Sequence, residues 1–146
     1  MSEDLGFLIG DTARLMRRAF DERVRTKGIT RPQWRVLGLL NRFGGSSQVA
    51  LAEMMDVEPI TLGRMIDRMQ DAGLVERRAD PNDRRAWRVF LTPSGESRLE
   101  DLKPLANELF ADAVSGLTDS QQAELAAMLD IIRLNLTRRA PEAANG

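Results

Sequence analysis

The part of the chain that most restricts the possible fold is the stretch from Gln48 to Thr92. Its order of apolar runs and turn residues predicts a short helix, a turn, a second helix and then a two-stranded hairpin. The second helix is predicted over roughly Pro59 to Gly73, because apolar residues recur there at helical spacing. The residues of this apolar stripe are Leu62, Met65, Ile66 and Met69. A stripe on one side only predicts a helix that packs on the first helix and leaves its other side in solvent.

The other side of this second helix carries Thr61, Arg64 and Arg68, with Pro59 and Ile60 at its N-terminal end. Like charges one turn apart repel in an isolated helix by roughly 0.3 kcal/mol, and an anionic partner would reverse that sign. Arg suits guanine edges or phosphate, Thr suits several bases, and an aliphatic group suits the thymine methyl in the major groove. When the helix is considered alone, a solvated outer face is the better explanation of these residues.

Residues in both predicted helices meet the packing requirements of a helix-turn-helix. Ala52 supplies the small side chain that lets two helices cross closely, and Val57, Leu62 and Met65 supply apolar contacts. The turn position, which is often Gly, is Asp56 here. Because Asp accepts left-handed backbone angles better than most residues, the turn remains feasible.

A hairpin is predicted directly after the second helix. Its strands are predicted over Leu74–Arg78 and Trp87–Leu91, where large apolar residues alternate with other side chains. The turn-rich segment Ala79–Ala86 lies between them and is predicted to be a loop. Two adjacent arginines, Arg84 and Arg85, are expected at the tip of this loop.

The charge of the whole chain gives no general attraction to nucleic acid, because the formal net charge is -1 at pH 7. A basic surface must therefore come from local segregation, and the hairpin segment has an excess of two positive charges. Its charged residues are Arg77, Arg78, Arg84, Arg85 and Arg88 against Glu76, Asp80 and Asp83. This small excess predicts binding through a few placed contacts.

Several motifs resemble those of the MarR/SlyA family of winged-helix transcription regulators. The run Asp83-Arg84-Arg85 followed by Leu91-Thr92 fits that family's D-x-R-x-x-x-x-x-L-T pattern. The other matching segments are Thr30–Trp34, Leu51–Glu53, Gly73–Arg77 and Thr92–Gly95. The similarity extends from Leu5 to Leu136, and it implies a mainly α fold with a small β-hairpin wing. In that fold, a winged helix-turn-helix core is flanked by N- and C-terminal dimerisation helices.

Helices rich in apolar residues are predicted on both sides of the central module. The first, over about Glu3 to Thr26, carries an apolar stripe wider than packing on one partner requires. Capping boxes are predicted at Thr30–Gln33 and Thr118–Gln121. The helix capped by Thr92 is predicted to have a kink near Glu100 to Pro104. The flanking helices have more apolar surface than the module can hide, which predicts a second subunit.

The predicted domain organisation follows from these elements. Residues 1–30 and 93–139 are expected to be dimerisation helices, residues 31–92 a winged helix-turn-helix module, and residues 140–146 a disordered tail. In the resembled family, the terminal helices interlock as a twofold dimer. A homodimer places the second helices of its two modules about 34 to 36 Å apart, which is one turn of the DNA duplex. This spacing predicts a pseudo-palindromic site on double-stranded DNA.

The second helix of the module is expected to contact both bases and phosphates. Pro59, Ile60, Thr61 and Arg64 are expected to approach base edges in the major groove. Arg68, one turn further along, is expected to hold a phosphate.

Two other parts of the module are expected to contact DNA. The first turn of a helix that begins at Ser46 or Ser47 is expected to hold a phosphate. Arg84 and Arg85 are expected to enter the flanking minor groove, where A·T-rich sequences deepen the negative potential. The resemblance implies that Asp83 orients Arg85.

The resemblance also implies a crevice for small, often aromatic or anionic molecules beside the dimer-forming helices. Arg14, Arg17 or Arg18 could supply an anion contact there, and Trp34 an aromatic wall for a phenolic or carboxylate ligand. Two other interpretations stay open. The arginines could pair with acidic residues one turn away, and Trp34 could belong to the core.

The composition excludes several classes of function. The chain has no Cys and no His, so it cannot build a disulfide, a thiol redox site, a Cys/His zinc site or an imidazole-activated nucleophile. There is also no glycine-rich phosphate loop, and we expect no enzyme activity, no metal and no cofactor. No apolar run is long enough to span a membrane and no secretion signal is visible, so a cytoplasmic protein is expected.

The interpretation that accounts for all these features is a sequence-specific DNA-binding transcriptional regulator, with repression as the resembled family's usual mode. The main alternative is a winged-helix protein-interaction adaptor that does not bind DNA, since a fold does not determine a function. The two differ in one measurable property. Binding through phosphates weakens steeply as salt rises, whereas an adaptor would not retard duplex DNA even at low salt.

Overall fold

The computed structural model describes the backbone of residues 2–143 and the side chains of residues 4–137. The helices in this part of the chain are α1 (Ser2–Val24), α2 (Arg31–Phe43), α3 (Gln48–Met55), α4 (Pro59–Asp71), α5 (Pro93–Ala113) and α6 (Asp119–Ala143). The strands are β1 (Ser46–Ser47), β2 (Val75–Asp80) and β3 (Asp83–Leu91). A short 3-10 turn, Arg25–Lys27, follows α1. The predicted fold class, mainly α with a small β wing, is confirmed.

The chain divides into two compact units, Met1–Leu109 and Phe110–Gly146. The first unit contains the hydrophobic core. Its completely buried side chains include Leu37, Leu51, Leu62, Ile66, Met69 and Leu102. Three of the four stripe residues predicted for α4 are fully buried and the fourth, Met65, packs against them, so the predicted packing of this helix is confirmed. The predicted module boundaries stay predictions.

The turn between α3 and α4 has the conformation that the sequence indicates. Asp56 adopts a left-handed backbone with φ of 56°, the region where Asp is among the better tolerated residues. The Val57 N–H donates to the Ala52 carbonyl at 3.0 Å, and the Ala52 side chain is buried where the helices meet. The turn therefore places α4 across α3 without a glycine.

The sheet has a third strand that the sequence pattern did not reveal. Its order is β1-β3-β2, and β1 pairs antiparallel with β3 through Ser46 opposite Val89 and Ser47 opposite Arg88. A strand of two residues is too short to show an alternating pattern. The neighbouring Gly45 lies against the Phe90 ring so closely that an added Cβ would be 2.0 Å from a ring carbon. A side chain at position 45 would therefore require the Phe90 ring to move.

The hairpin is longer than predicted and its loop is shorter. The prediction of a loop over Ala79–Ala86 is wrong, because β2 and β3 continue through most of it and leave Pro81 and Asn82 between them. Ala79 pairs with Trp87, but the next residue, Asp80, pairs with Asp83. Backbone pairing of β2 with β3 therefore extends to the ends of both strands, despite the turn-forming residues of this segment.

Arg84 and Arg85 consequently lie in β3 and not at the tip of a loop, which corrects their predicted placement. The shift in register leaves Arg84, Arg85 and Ala86 as extra residues on β3, opposite the step from Ala79 to Asp80. A bulge of this kind bends the strand and redirects its side chains.

The predicted helix caps are confirmed. Thr30 and Gln33 form a reciprocal capping box at the start of α2, and Thr118 and Gln121 form the same pair of bonds before α6. At the start of α5, the Thr92 hydroxyl accepts from the N–H of a residue in the first helical turn at 3.0 Å and donates to the carbonyl of Gly73 at 2.5 Å. This second bond ties the start of α5 to the end of α4.

The flanking helices differ in burial along their length. In α5, Leu99, Leu102 and Leu109 are buried, whereas Phe110 at the start of the second unit is 45% exposed. The helix continues without a break through Pro104, and the kink predicted in this part of it stays a prediction. Of the predicted tail, residues 140–143 continue α6, while residues 144–146 lie outside the described residues.

Candidate nucleic-acid interface

The exposed face of α4 carries the residues that the sequence assigns to base and phosphate contacts. Thr61, Arg64 and Arg68 are exposed, opposite the buried side of the helix, and Ile60 is 71% exposed. Pro59 is the first helical residue, and the preceding residue makes no side-chain cap bond. The N-terminal end of α4 thus presents small, aliphatic and cationic groups with uncapped backbone N–H groups behind them.

The arginines of α4 and of the hairpin fall into two groups, and the members of the first group are bonded to other residues. Arg78 pairs with Glu76 in the same strand, and its guanidinium lies 4.2 Å from the centre of the Phe90 ring. The Arg88 Nε is 3.3 Å from a carboxylate oxygen of Asp80. These contacts neutralise part of the positive excess that the sequence indicates.

The second group consists of exposed arginines without such partners. Among the described residues, no hydrogen bond or ion pair involves the side chains of Arg64, Arg68, Arg84 or Arg85. Each of these side chains is exposed. All four are residues that the sequence assigns to DNA contact, and their charges remain available to an external anion.

Acidic residues hold the backbone of the hairpin end. The Asp83 carboxylate accepts the backbone N–H of Arg85 at 3.0 Å, so Asp83 contacts the residue that it is expected to orient. Asp80 accepts the backbone N–H of Asn82 at 2.8 Å. This bond, followed by the bond from Arg88, lowers the pKa of the Asp80 carboxyl from its usual value near 3.8. A charged Asp80 therefore stabilises the turn.

Ser47 lies at the N-cap of α3. Its hydroxyl accepts the backbone N–H of Ala50 at 3.1 Å, and its backbone pairs with Arg88 in the sheet. Because the hydroxyl oxygen already serves as the cap, a phosphate at this helix end would meet the backbone N–H groups of the first turn.

Arg77 is the residue whose environment differs most from the sequence interpretation. It was counted with the basic surface of the hairpin, but its side chain is only 18% exposed and is bonded to residues of α3 and α4. The prediction that Arg77 adds to the exposed positive charge is therefore wrong. A usable signal was present in the sequence: Arg77 is two residues from Val75, so the two share a face of the strand, and Val75 is buried.

A second candidate site is a cavity of about 430 Å³ in the first unit. Its lining residues are Arg17, Phe20, Arg31, Trp34, Arg35, Gly38, Leu39, Arg42 and Ala106. The Trp34 ring packs edge-on against Phe20, with ring centres 5.2 Å apart. Trp34 is half-buried, so it contributes both to packing and to the wall of the cavity.

Only part of the predicted effector set lines this cavity. Arg17 and Trp34 are brought together there, whereas Arg14 and Arg18 are not among the lining residues, and the predicted effector set stays a prediction. Arg14 instead binds Asp11 one turn earlier in α1, with a shortest distance of 2.6 Å.

The sequence interpretation missed the arginines that α2 contributes to the cavity. Arg31 and Arg35 are one turn apart, and Arg42 follows Arg31 by three turns, so all three share one face. Arg31 pairs with Asp21 at 2.9 Å, and Arg35 donates to the carbonyl of Met54 at 2.9 Å. The helical spacing of these residues was a signal that the sequence contained.

Arg17 differs from Arg31 and Arg35. No hydrogen bond or ion pair of its guanidinium occurs within the part of the chain that the structure describes. It therefore provides an uncommitted cation at the edge of a cavity with two aromatic walls.

The described residues contain no cluster of acidic side chains that could hold a metal ion. Within the same residues, no helix is both long enough and apolar enough to cross a bilayer.

Sequence comparison identifies related regulators. The family model described as MarR family matches residues 29–87. The HTH-type transcriptional repressor IacR of Pseudomonas putida is 33% identical over 105 residues, which is 72% of this chain and 63% of the repressor. The chain thus matches less than two thirds of the length of that relative.

Solved structures of similar proteins have the same fold. A MarR transcriptional regulator from Methanosarcina mazei is 30% identical, with a TM-score of 0.84 over 93% of this chain and 98% of the other. A variant of MarR from E. coli complexed with operator DNA is 29% identical, with a TM-score of 0.76 over 88% of this chain and 93% of the other. This chain belongs to the MarR family of transcriptional regulators.

Proposed function

We propose that this protein is a transcriptional repressor that binds a pseudo-palindromic site on double-stranded DNA as a homodimer and is released by a small anionic aromatic ligand. The observation that carries the proposal is the division of its arginines. Arg64, Arg68, Arg84 and Arg85 are exposed and unpaired in the described residues, while the other hairpin arginines are bonded within the chain. The repressor relative and the DNA-bound MarR variant support the same function.

In the proposed complex, α4 lies in the major groove. Its N-terminal residues Ile60 and Thr61 approach base edges, with Pro59 beside them, and Arg64 reaches a guanine edge. Arg68 is one turn away from Arg64 and contacts a phosphate. This arrangement also offsets the repulsion between the two arginines, because Arg68 is next to a phosphate anion and Arg64 faces the acceptor atoms of a guanine.

The hairpin and α3 hold the module on the DNA backbone. Arg84 and Arg85 extend from the bulge of β3 into the flanking minor groove, with the backbone of Arg85 fixed by Asp83. The N–H groups at the start of α3, capped by Ser47, face a phosphate. These contacts set the register of the module and add affinity for any DNA sequence.

Exposed apolar side chains on the flanking helices support a homodimer. In α1, Leu5, Phe7 and Leu8 are between 56% and 69% exposed. In α6, the exposed apolar residues are Leu125, Met128, Leu129, Ile131, Ile132, Leu134 and Leu136. Apolar surface of this extent is rare on a stable monomer, and covering it with a second copy gives the twofold symmetry that a pseudo-palindromic site requires.

The cavity beside Trp34 is the proposed effector site. A planar carboxylate would contact Arg17 with its anionic group and the Phe20 and Trp34 rings with its apolar face. Arg35 connects this cavity to the DNA-binding part, since it donates to the carbonyl of Met54 in the last turn of α3. A ligand that draws Arg35 into the cavity would remove this bond and loosen the turn before α4.

The proposed DNA binding is tested by selecting duplexes from a random library with the purified protein and footprinting the selected sequences. We expect a pseudo-palindrome protected by two chains, with affinity that falls steeply as salt rises. Failure to retard any duplex at low salt would refute DNA binding and favour the adaptor alternative.

The proposed effector site is tested by tryptophan fluorescence. The chain has two tryptophans, so Trp87→Phe leaves Trp34 as the only fluorophore. Benzoate and hydroxybenzoates should change the Trp34 emission saturably and release the selected duplex, and Arg17→Met should weaken both effects. No change in emission with any of these compounds would contradict a site for aromatic carboxylates.

A further inference from the structure

We propose that Arg77 is a positioning residue that fixes α4 against the wing and α3, and so determines how well the protein distinguishes between base pairs. It does this from inside the chain, without contacting DNA. The proposal rests on the proposed DNA binding and assigns a role to a residue that is outside the proposed contact surface.

One guanidinium joins three elements. Arg77 extends from β2, and its Nε donates to the Gln48 side chain at the start of α3 at 2.5 Å. Its two terminal nitrogens donate to the Gly63 carbonyl and the Gln70 side chain of α4, both at 3.0 Å. The same group pairs with Asp67 of α4 at 2.6 Å.

The acceptors on α4 form one row along the helix. Gly63, Asp67 and Gln70 are spaced by four and three residues, which places them on one face. Arg77 therefore holds α4 at points that span two helical turns, and this resists both rotation and tilt. A single hydrogen bond would resist neither.

The row held by Arg77 is directly next to the row proposed to contact DNA. Arg64 follows Gly63 and Arg68 follows Asp67, so each contact residue is about 100° around the helix from a residue that Arg77 binds. Any rotation of α4 about its axis moves Arg64 and Arg68 relative to the groove. Base contacts depend on the orientation of the side chain more strongly than phosphate contacts do, so selectivity should be lost before general affinity.

The chemistry of Arg77 explains why a lysine would not be equivalent. Guanidinium has five N–H donors in a rigid planar arrangement, which matches acceptors on several sides. An ammonium group on a flexible stem could keep the ion pair with Asp67 but could not reach all the other acceptors at once. The side chain is 18% exposed and its charge is compensated by Asp67, so little of it is available to a phosphate.

The test compares Arg77→Lys with Arg78→Lys. Both variants keep the charge, and the residues are neighbours in β2, but Arg78 pairs with Glu76 and packs on Phe90. Binding is measured to a duplex selected by the parent protein, to the same duplex with single base-pair changes, and to random DNA. We expect Arg77→Lys to lose about tenfold in affinity for the selected duplex, comparable to one misread base pair. Its affinity for random DNA should change less than about twofold, and Arg78→Lys should behave like the parent.

Two further variants separate positioning from folding. Gln48→Ala and Gln70→Ala each remove one neutral acceptor and leave no buried charge unpaired. We expect both to reduce the preference for the selected duplex while the salt dependence and the circular dichroism spectrum stay unchanged. If Arg77→Lys folds poorly, the preference of these two variants for the selected duplex tests the proposal instead.

The possible contrary results are distinct. A uniform loss across all DNA sequences, or parental selectivity in Arg77→Lys and both glutamine variants, would overturn the role of Arg77 while leaving the proposed function intact. Failure of the parent protein itself to select any duplex would refute the proposed function and the inference together.

Discussion

Removing the two wing arginines should change the salt dependence of DNA binding by a predictable amount. In the double variant Arg84→Gln with Arg85→Gln, each chain loses two exposed charges that have no partner in the described residues. A dimer loses four. Each phosphate neutralised by a cation contributes about 0.9 to the slope of log affinity against log salt, so the slope should become shallower by about 3.6. Between about 50 and 200 mM salt, the parent should then lose about 150-fold more affinity than the variant.

The measurement is fluorescence anisotropy with a labelled duplex selected by the parent protein, over a series of KCl concentrations at constant pH. A matched control removes charge in a neutral pair, with Glu76→Gln and Arg78→Gln combined. Since Arg78 is bonded to Glu76 and stacks on Phe90, this control should keep the parental slope. Circular dichroism spectra of all variants show whether the wing still folds.

Two results would refute this reasoning. A parental slope in the Arg84 and Arg85 variant would mean that the wing does not neutralise phosphates. An equally shallow slope in the neutral-pair control would mean that paired arginines also contribute, so that pairing within the chain is no guide to which charges bind DNA.

Three further predictions follow from single residues. Asp56→Ala should lower the free energy of unfolding in urea by about 1 kcal/mol, because Ala is strained in the left-handed conformation, whereas Asp56→Gly should not lower it. Arg35→Met should weaken DNA binding in the absence of any ligand, measured by anisotropy, and Arg35→Lys should restore it by donating to the carbonyl of Met54. The lowered pKa of Asp80 means that its charged form stabilises the fold above pH 3.8 and that this contribution disappears as the pH falls below that value. The melting temperatures of the parent and of Asp80→Asn should therefore differ near neutral pH and converge as the pH falls below 3.8.

Local features of the fold could be predicted from the sequence because short-range signals determine them. The stripe from Leu62 to Met69 repeats at the helical period, and a cap such as Thr30 with Gln33 needs only residues three apart. The left-handed turn at Asp56 depends mainly on the residue's own backbone preference. Each of these predictions is confirmed, since no distant residue has to be known.

Features that depend on pairing between distant segments could not be predicted in the same way. The strand β1 exists because Ser46 and Ser47 meet β3, about forty residues later in the chain. The bulge at Arg84 and Arg85 is set by the register between β2 and β3, and the turn-forming residues there suggested a loop. Register is a property of two strands, and the composition of one of them does not determine it.

The arginines of the wing show why a count of charges in the sequence is insufficient. Arg77 and Arg78 are adjacent and chemically identical, yet alternation along β2 turns one toward α4 and the other toward the Phe90 ring. An inward arginine needs acceptors, and Gly63, Asp67 and Gln70 supply them in one row of α4. The arginine at position 77 is therefore not available to a phosphate. In the proposed complex it instead fixes α4, whose adjacent row, with Arg64 and Arg68, contacts the DNA.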